Sequence, residues 1–335
     1  MILITGANGW LGLGLAEWIS KHKNEQTSEI RALVLPNSDS QKLRAILPNV
    51  RIFSGDLSNG SGLVDFFDGA EGARLIHTAG VIHPKKVQEF YAVNRDGTSR
   101  LLEAAASAGL WRAVVVSSNS PCGCNPHPDH LFDESSPYNP YMNYGRSKME
   151  MELNALNLHA TGRIEVVVIR APWFYGPNQP PRQKLFFEMV RDGKAPIVGN
   201  GENKRSMAYI ENLAQGLFLA AESPVAGGKA YWIADERSYS MNEIVDTIER
   251  LLENEFGQKC THKRMRLPGF ASEVAWMLDA SIQKLGMYHQ KIHVLSEMNK
   301  TIACSVEKAK AELGYKPQVA LEEGMRRSLR EIYPH

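Results

Sequence analysis

The stretch Thr5-Gly6-Ala7-Asn8-Gly9-Trp10-Leu11-Gly12 joins an apolar run at the start of the chain to an amphipathic segment over residues 10–22. The apolar run, residues 1–5, is typical of a buried strand, and the amphipathic segment has the periodicity of a helix. Gly6 allows a tight turn between them, Gly9 lets the backbone approach a ligand, and Gly12 permits close packing of helix on strand. Free N–H groups at the start of a helix attract negative charge. The stretch therefore predicts a turn that binds a pyrophosphate.

Short aliphatic runs alternate with amphipathic segments over the first 170 residues. After residues 1–5, the strand-like runs are 30–35, 50–54, 74–79, 112–118 and 164–170. The helix-like segments between them include 10–22, 89–108 and 143–159. Repeated βα units of this kind predict an α/β fold built on a doubly wound parallel sheet, the Rossmann type.

The pattern loosens after residue 170. Prolines at 172, 177, 180 and 181 mark loops, segments 184–192 and 211–222 are helix-like, and residues 229–233 could form another strand. From Ser240 onward the chain is mainly helical, up to a last amphipathic helix over 321–332. We therefore predict a dinucleotide-binding domain over 1–170, completed by 206–235. Residues 171–205 and 236–335 are predicted to form a smaller, mainly helical substrate-binding domain.

Composition excludes several classes of protein. The 335 residues are 43% apolar and 22% charged, which suits a large packed core and not a disordered or fibrous chain. Thirty-eight Lys and Arg against 37 Asp and Glu give a net charge of +1, without the basic excess of a nucleic-acid binder. We therefore expect a small-molecule substrate and no nucleic-acid partner.

Two further patterns bear on the cellular setting. The best apolar stretch, residues 269–287, is interrupted by Glu273, Asp279 and Lys284, so it cannot supply the roughly 18 apolar residues that span a bilayer. Association with a membrane surface stays possible. The four cysteines have no disulfide-framework spacing and no basic leader precedes the first strand, which predicts a reducing, cytoplasmic setting.

A cluster of Cys122, Cys124, His127 and His130 suggests a zinc site at first sight. Paired ligands in structural zinc sites usually stand two to four residues apart, with a second pair well separated. The Cys-Gly-Cys spacing is too tight, and three prolines stiffen the loop. We predict no metal site.

Two later strand ends bear on the choice of dinucleotide. Asp56 follows the third strand, where it could accept a hydrogen bond from an adenine amino group or merely cap a turn. After the second strand, Asp39 could hold a ribose hydroxyl, whereas Lys42 and Arg44 could meet a 2′-phosphate. NAD and NADP both remain open, with NAD slightly favoured. The residues predicted to contact the dinucleotide in these segments are Gly6, Asn8, Gly9, Trp10, Leu11, Gly12, Asp56 and Leu57.

Among eleven tyrosines, Tyr144 alone has a lysine four residues on, in Tyr144-Gly145-Arg146-Ser147-Lys148. Positions i and i+4 lie on one face of a helix, so Lys148 can stand beside the phenol and lower a pKa that is ordinarily near 10. A tyrosinate formed in this way could act as a general base at neutral pH. The alternative is an exposed pair on a surface helix.

Seven motifs, in order along the chain, resemble those of the extended short-chain dehydrogenase/reductases. They are TGxxGxxG at residues 5–12, Asp56, His77-Thr78-Ala79-Gly80, Val93-Asn94-Arg95-Asp96-Gly97-Thr98, the serines of Val116-Ser117-Ser118-Asn119-Ser120, the YxxxK of Tyr144 and Lys148, and Arg170-Ala171-Pro172-Trp173-Phe174-Tyr175-Gly176-Pro177. A late segment over residues 307–317 resembles the KAxxxLGYxP segment of that family. The resemblance covers essentially the whole chain.

The resemblance implies an NAD(P)-dependent enzyme that transfers a hydride at a secondary alcohol or ketone. By position, Tyr144 would be the acid/base, Lys148 would hold the nicotinamide ribose and lower the tyrosine pKa, and Ser118 would hydrogen-bond the reacting oxygen. Ser117 and Ser120 are alternatives to Ser118.

The resemblance also implies supporting roles around the cofactor. Ala79 and Gly80 would pass under it, and Pro172 would lie near its carboxamide. His77 is expected to be a packed histidine at a strand end, and Asn94 a structural residue that bends a helix. Helices over 89–108 and 143–159 would pair across a two-fold axis, which implies a homodimer.

The substrate is open between two classes. Residues 199–212 resemble the segment in which nucleotide-sugar epimerases, dehydratases and reductases present an arginine to a diphosphate, and Arg205 falls at that place, with Ser118 and Asn119 as further substrate contacts. Arg205 could instead tie its loop to Glu202 or Glu211. The same stretch, with residues 268–298, also resembles 3β-hydroxysteroid and sterol-carboxylate dehydrogenases, whose ligand would suit the apolar side chains of Phe270, Val274, Trp276, Met277 and Leu278. Apolar stripes of this kind are more often part of a core or of a dimer surface.

We therefore predict an epimerase, dehydratase or ketoreductase that acts on a nucleotide-linked sugar. The first alternative is a dehydrogenase for a sterol-type or other hydroxy or keto compound. The second is a dinucleotide-binding regulator without turnover, against which the intact Ser118, Tyr144 and Lys148 speak.

Overall fold

A parallel sheet with helices on both faces forms the centre of the molecule. The computed structural model describes residues 1–22 and 29–334. The strands in this part of the chain are β1 (Ile2–Thr5), β2 (Ile30–Val34), β3 (Arg51–Ser54), β4 (Arg74–His77), β5 (Arg112–Ser118), β6 (Glu165–Ala171), β7 (Trp173–Tyr175), β8 (Pro196–Val198), β9 (Lys204–Tyr209), β10 (Ala230–Trp232), β11 (Ser238–Ser240) and β12 (Met265–Leu267).

The helices surround this sheet and form most of the carboxyl-terminal part. They are α1 (Trp10–His22), α2 (Gln41–Ile46), α3 (Leu63–Phe67), α4 (Val87–Glu89), α5 (Thr98–Ser107), α6 (Met142–Ala160), α7 (Pro181–Arg191), α8 (Ile210–Glu222), α9 (Met241–Asn254), α10 (Phe270–Lys284), α11 (Gln290–Glu297), α12 (Glu307–Leu313) and α13 (Leu321–Ile332). The predicted helices over 10–22 and 321–332 are confirmed to the residue.

The large sheet has seven strands in the order β10-β6-β5-β4-β1-β2-β3, and each neighbouring pair is parallel. This is the predicted doubly wound sheet of the Rossmann type, and β10 confirms the strand expected near residues 229–233. All carboxyl ends of parallel strands meet at one edge, which is where such sheets bind ligands.

Alternate residues of the central strand β1 pack into two different cores. Ile2 and Ile4 belong to the core that includes α1 and α8, whereas Leu3 belongs to the core that includes α5 and α6. A strand that is covered on both faces needs apolar residues at every position, which explains why its sequence reads as a continuous apolar run. The glycine turn therefore leaves the sheet from a rigid, buried strand.

Two smaller sheets accompany the mainly helical part of the chain. One has the order β11-β9-β7, and the other pairs β12 with β8. The predicted helical character of the region after Ser240 is confirmed by α9 to α13. The division into two domains at residues 171–205 and 236–335 stays a prediction. None of the described helices is both long and apolar enough to cross a bilayer.

The helix predicted over 89–108 differs from a plain α-helix. It runs as α4, a π-helical segment Phe90–Gly97, and α5. Asn94 lies in the π-helical segment and binds the backbone of Val81, accepting from its N–H at 2.8 Å and donating to its carbonyl at 2.9 Å. A wider helical turn lets this buried side chain face the loop after β4. Asn94 thus has the structural contact expected of it.

Candidate active site

The glycine turn has no room for side chains. Gly6 has φ +67°, and a Cβ there would lie 2.8 Å from the backbone of Ala79, at the end of β4. The Gly9 amide donates to the Gly6 carbonyl at 2.9 Å, and a Cβ on Gly12 would lie 2.2 Å from the same oxygen. Because α1 begins at Trp10, its first N–H groups have no acceptor within the helix and face this edge. The turn fits the pyrophosphate of a dinucleotide.

Polar side chains of the turn brace it against neighbouring loops. Asn8 donates through Nδ2 to Ser38 Oγ at 2.9 Å and to the Asp39 carbonyl at 3.1 Å. Trp10 donates through Nε1 to the Pro177 carbonyl at 2.7 Å. Leu11 is buried. The side chains of Asn8, Trp10 and Leu11 therefore have other partners or are buried. These three residues can offer a dinucleotide mainly their backbone groups.

The loop after β2 leaves the choice of dinucleotide open. Asp39 Oδ1 accepts a hydrogen bond from the Gln41 amide at 2.9 Å, so the carboxylate holds the start of α2. Lys42 lies 3.6 Å from Glu331, and Arg44 is exposed. These contacts leave neither a clear acceptor for a ribose hydroxyl nor a clear anchor for a 2′-phosphate.

Asp56 caps a turn at the end of β3. Its Oδ1 accepts from the Ser58 amide at 2.8 Å, and Leu57 is buried against Gly97. Arg100 donates to the Leu57 carbonyl at 2.9 Å. Asp56 therefore caps a turn, as one of the two alternatives from the sequence proposed. Its second carboxylate oxygen, Oδ2, has no hydrogen bond among the described residues.

Ser118 and Tyr144 meet where β5 ends against α6. A hydrogen bond to the Ser118 hydroxyl lowers the pKa of Tyr144, but burial outweighs it and raises that pKa to about 12. Ser117 lies on the other face of β5 and donates to Glu152 Oε1 at 2.5 Å. The Ser120 amide donates to Ser118 Oγ at 3.2 Å. The structure thus brings Ser118, and not Ser117, to the tyrosine.

Lys148 points at the backbone of β5. Its Nζ donates to the Val116 carbonyl at 3.0 Å, and a Cβ on Gly80 would lie 3.5 Å from Nζ. The groups that lower the pKa of Tyr144 in the structure are Ser118 and Arg182, and the lowering of this pKa by Lys148 stays a prediction. Burial lowers the pKa of Lys148 itself to about 8, although Glu152 opposes the shift.

His77 is enclosed between two threonines. Its Nδ1 lies 2.6 Å from Thr5 Oγ1, and its Nε2 lies 2.8 Å from Thr98 Oγ1. Burial, with a smaller effect of Lys148, lowers the pKa of His77 to about 3. The imidazole is therefore neutral at physiological pH and occupies the place of a packed strand-end histidine.

The wall around Tyr144 contains residues that the sequence analysis did not assign to the site. The centroid of the Phe90 ring lies 5.5 Å from the ring centroid of Tyr144 and 5.2 Å from the ring centroid of Tyr288. Tyr288 is 2.8 Å from His83, whose pKa falls to about 4 through burial and the charge of Arg182. Tyr288 and Arg182 come from distant parts of the chain, and no local spacing points to either.

Arg205 binds the end of α11. Its Nη2 donates to the Glu297 carbonyl at 2.5 Å. It makes no described contact with Glu202 or Glu211, which instead bind other partners. Arg205 therefore ties its loop to the rest of the protein, which is one of the two roles considered from the sequence. Its partner is a backbone carbonyl and not a carboxylate. Burial is the main cause that raises the pKa of Tyr144, and the charge of Glu297 raises it further.

Asn119, Pro172, Cys122 and Cys124 complete the predicted set. The Asn119 amide oxygen is 3.4 Å from Ser118 Oγ, and Pro172 links β6 to β7. Burial raises the pKa values of the Cys122 and Cys124 thiols to about 11 and 12. In residues 1–22 and 29–334, no three His, Cys, Asp or Glu side chains are grouped to hold a metal ion.

The apolar residues considered for a sterol lie on the surface of α10. All five are exposed on α10: Phe270, Val274, Trp276, Met277 and Leu278. The opposite face of that helix contacts α6, where Gln283 accepts from Asn143 Nδ2 at 2.9 Å. The five apolar residues are therefore not part of the core.

Comparison with known proteins gives a consistent family assignment. A family model described as the NAD dependent epimerase/dehydratase family matches residues 2–234. The chain is 50% identical to the uncharacterized protein y4nL of Sinorhizobium fredii, over 98% of this chain and 94% of that protein. It is 27% identical to 3beta-hydroxysteroid-dehydrogenase/decarboxylase isoform 1 of Arabidopsis thaliana, over 98% of this chain and 78% of that one.

Two further similarities lie on the nucleotide-sugar side. The dTDP-glucose 4,6-dehydratase of Streptomyces niveus is 29% identical over 68% of this chain and 70% of its own. The crystal structure of dTDP-glucose 4,6-dehydratase from Bacillus anthracis in complex with NAD superimposes with a TM-score of 0.77 at 21% identity, over 99% of this chain and 96% of that chain. At that identity the structural likeness supports the fold.

Proposed function

Because the chain belongs to the NAD-dependent epimerase/dehydratase family, we propose that it is an NAD(P)-dependent oxidoreductase that acts on a nucleotide-linked sugar. The observation that carries the proposal is the meeting of Ser118 and Tyr144 at the carboxyl end of β5, with Lys148 one helical turn away. A hydroxyl, a phenol and an ammonium in this arrangement suit proton transfer to or from an alcohol oxygen.

The glycine turn and the neighbouring strand ends form the proposed cofactor site. Backbone groups of residues 6–12 would hold the pyrophosphate, and Asp56 and Leu57 would lie at the adenine end. Ala79, Gly80 and Pro172 would line the nicotinamide end, where Lys148 would bind the ribose. When bound, the dinucleotide supplies the hydride acceptor or donor. Because the loop after β2 has no strong anchor, we expect NAD and NADP to differ less than about tenfold in affinity.

Proton transfer is assigned to Tyr144. With a pKa of about 12 the phenol carries its proton at neutral pH and can give it to a forming alkoxide. In the opposite direction it must lose that proton, which Ser118 favours by donating a hydrogen bond to the phenolate oxygen. Ser118 would at the same time orient the reacting oxygen.

The nucleotide part of the substrate is assigned to Arg205. Only its Nη2 has a described partner, so other N–H groups of the guanidinium are available to a diphosphate. A charged, bidentate contact of this kind contributes about 1.5 to 3 kcal/mol. The contact with the end of α11 would hold the guanidinium beside the cleft.

Titration calorimetry with UDP and dTDP tests this assignment. Arg205→Ala should weaken binding tenfold or more and make the remaining affinity less sensitive to salt. Lys204→Ala is the matched control, because Lys204 directly precedes Arg205 and its ammonium lies 3.7 Å from the exposed Asp129. No affinity of the unchanged protein for any nucleoside diphosphate would contradict the nucleotide-sugar proposal.

A second candidate is a 3β-hydroxysteroid-type dehydrogenase. The alignment with the Arabidopsis hydroxysteroid dehydrogenase/decarboxylase extends over 98% of the chain, whereas that with the Streptomyces dehydratase extends over 68%. Reduction of NAD in the presence of a 3β-hydroxysteroid, without affinity for nucleoside diphosphates, would favour this candidate.

A further inference from the structure

Helix α10 exposes its apolar side chains. Phe270, Val274, Met277 and Leu278 are exposed and recur at positions i, i+4, i+7 and i+8, so they share one face. Leu285, directly after the helix, extends this face and is 75% exposed. We call these five residues the α10 outer face. An apolar stripe of this width normally faces a core.

The inward side of α10 is polar and fixed by hydrogen bonds. Ser272 donates to the Leu295 carbonyl at 2.8 Å, Asp279 Oδ2 lies 2.7 Å from His293 Nδ1, and Gln283 accepts from Asn143 Nδ2 at 2.9 Å. All three polar side chains of α10 are buried. Rotating the helix to bury its apolar stripe would break these contacts, so the outer face is held towards the outside.

Lysines surround one end of the outer face. Lys284 ends α10, Lys291 lies in α11, and Lys85 and Lys86 are joined to the turn after α10 by backbone hydrogen bonds from Tyr288 and Val87. All four are exposed, and none makes an ion pair within residues 1–22 and 29–334. The acid beside the stripe, Glu273, is already paired with Lys300. The surface is therefore apolar with unpaired positive charge.

We propose that the α10 outer face binds the surface of an anionic lipid bilayer. Helices of this kind lie in the interfacial plane with Phe, Leu and Met among the acyl chains and lysines at the headgroups. The four lysines complement anionic headgroups. A second copy of the chain would bring the same unpaired lysines and no free carboxylate on this face to meet them. Tyr288, near this turn, borders Tyr144 through Phe90, so the cleft would lie beside the bilayer.

Co-sedimentation of the full chain with vesicles tests the proposal and does not depend on the substrate. Vesicles of phosphatidylcholine with phosphatidylglycerol should bind the protein, and vesicles of phosphatidylcholine alone should bind it much more weakly. Added salt should reduce binding to the anionic vesicles. Absence of binding to anionic vesicles at millimolar lipid would overturn the proposal.

Two variants separate the apolar and the charged contributions. Phe270→Ser with Met277→Ser should reduce binding at least tenfold, whereas Val64→Ser, at an equally apolar residue that is 85% exposed on α3, should leave it unchanged. Lys284→Glu with Lys291→Glu should reduce binding by at least fivefold per lysine. The lysines make no described side-chain contact, so this variant keeps the test decisive if the apolar variant folds poorly.

The same variants distinguish a second copy as the occupant. Light scattering of the unchanged protein and of the Phe270 and Met277 double variant reports the oligomeric state. A dimer that the double variant dissociates, together with no vesicle binding, would overturn the proposal in favour of self-association. Unchanged vesicle binding in both double variants would also overturn it.

Discussion

Burial shifts the pKa values of Tyr144 and Lys148 in opposite directions. It raises the pKa of the phenol to about 12 and lowers that of the ammonium to about 8. Both shifts favour the uncharged form, as expected for groups removed from water. The phenol of Tyr144 therefore carries its proton at neutral pH, which suits the proposed role as a proton donor.

Replacing Tyr144 by Phe removes the phenol whose pKa is lowered by the Ser118 hydroxyl. We expect dinucleotide affinity in titration calorimetry to stay the same and turnover to fall by about 100-fold or more, as for a lost general acid/base. Tyr91→Phe is the matched control, because the Tyr91 hydroxyl donates to Asn143 at 2.8 Å at the start of α6. Near-normal turnover in Tyr144→Phe would remove this residue from the mechanism and direct attention to His83.

Replacing Lys148 by Met should stabilise the protein at pH 7. The folded-state pKa of Lys148 lies below its unfolded value of 10.5, so the cost of burying the charge is fully present below pH 8 and disappears as the pH rises towards 10.5. We expect the free energy of unfolding to rise by about 1 to 3 kcal/mol at pH 7 and by less at pH 10. Denaturant titration at both pH values measures this, with the exposed Lys184→Met as control. A gain that grows with pH would contradict the assignment.

The strand, turn and helix at the start of the chain act as one element. Gly6 lies against the backbone of Ala79, and Gly12 lies against the Gly6 carbonyl, so the start of α1 is pressed onto the sheet. This close approach directs the helix N–H groups to the sheet edge. The packing of α1 on the sheet and the proposed binding of a pyrophosphate therefore both require residues without a Cβ atom at positions 6 and 12.

Gly12→Ala tests this coupling. The added methyl would lie 2.2 Å from the Gly6 carbonyl, so we expect a loss of about 2 kcal/mol or more in unfolding free energy and at least tenfold weaker dinucleotide binding. Gly269→Ala is the control, because its Cβ would meet nothing within 4 Å. Normal binding by Gly12→Ala would show that the turn does not hold the pyrophosphate.

Buried ion pairs join the layers of the molecule. Arg170 in β6 lies 2.8 Å from Glu152 in α6, and both are buried. Glu152 also accepts hydrogen bonds from Ser117 in β5 and from Tyr138. The ion pair therefore holds α6, which carries Tyr144 and Lys148, on β6, and the hydrogen bond from Ser117 holds the same helix on β5, which carries Ser118.

A double-mutant cycle measures how much this buried pair matters. Glu152→Leu leaves Arg170 charged and unpaired, so we expect a loss of about 3 to 5 kcal/mol in urea denaturation. Adding Arg170→Met should restore at least half of that loss. Glu103→Leu, which breaks the exposed pair with Arg163 at 2.7 Å, should cost less than about 1 kcal/mol. No recovery in the Glu152 and Arg170 double variant would mean that the pair is not the source of the effect.

The sequence by itself determined the sheet, the glycine turn and the helix with Tyr144 and Lys148 on one face. The strands, the turn and the helix each have a local pattern, which periodicity and glycine spacing report directly. Local patterns do not reveal the residues around Tyr144. Phe90, which packs against Tyr144, contacts Tyr288, and these two residues are almost 200 positions apart in the sequence.

Only the tertiary structure decided which way side chains with two possible partners point. Lys148 binds the Val116 carbonyl, Arg205 binds the Glu297 carbonyl, and Ser118 faces Tyr144 while Ser117 faces Glu152. The same holds for α10, whose apolar periodicity suggested a core helix, a dimer surface or a ligand-binding surface. Its polar side is fixed inward by Asn143 and His293, and Asn143 is 140 residues away from its partner Gln283, a separation that leaves no trace in local spacing.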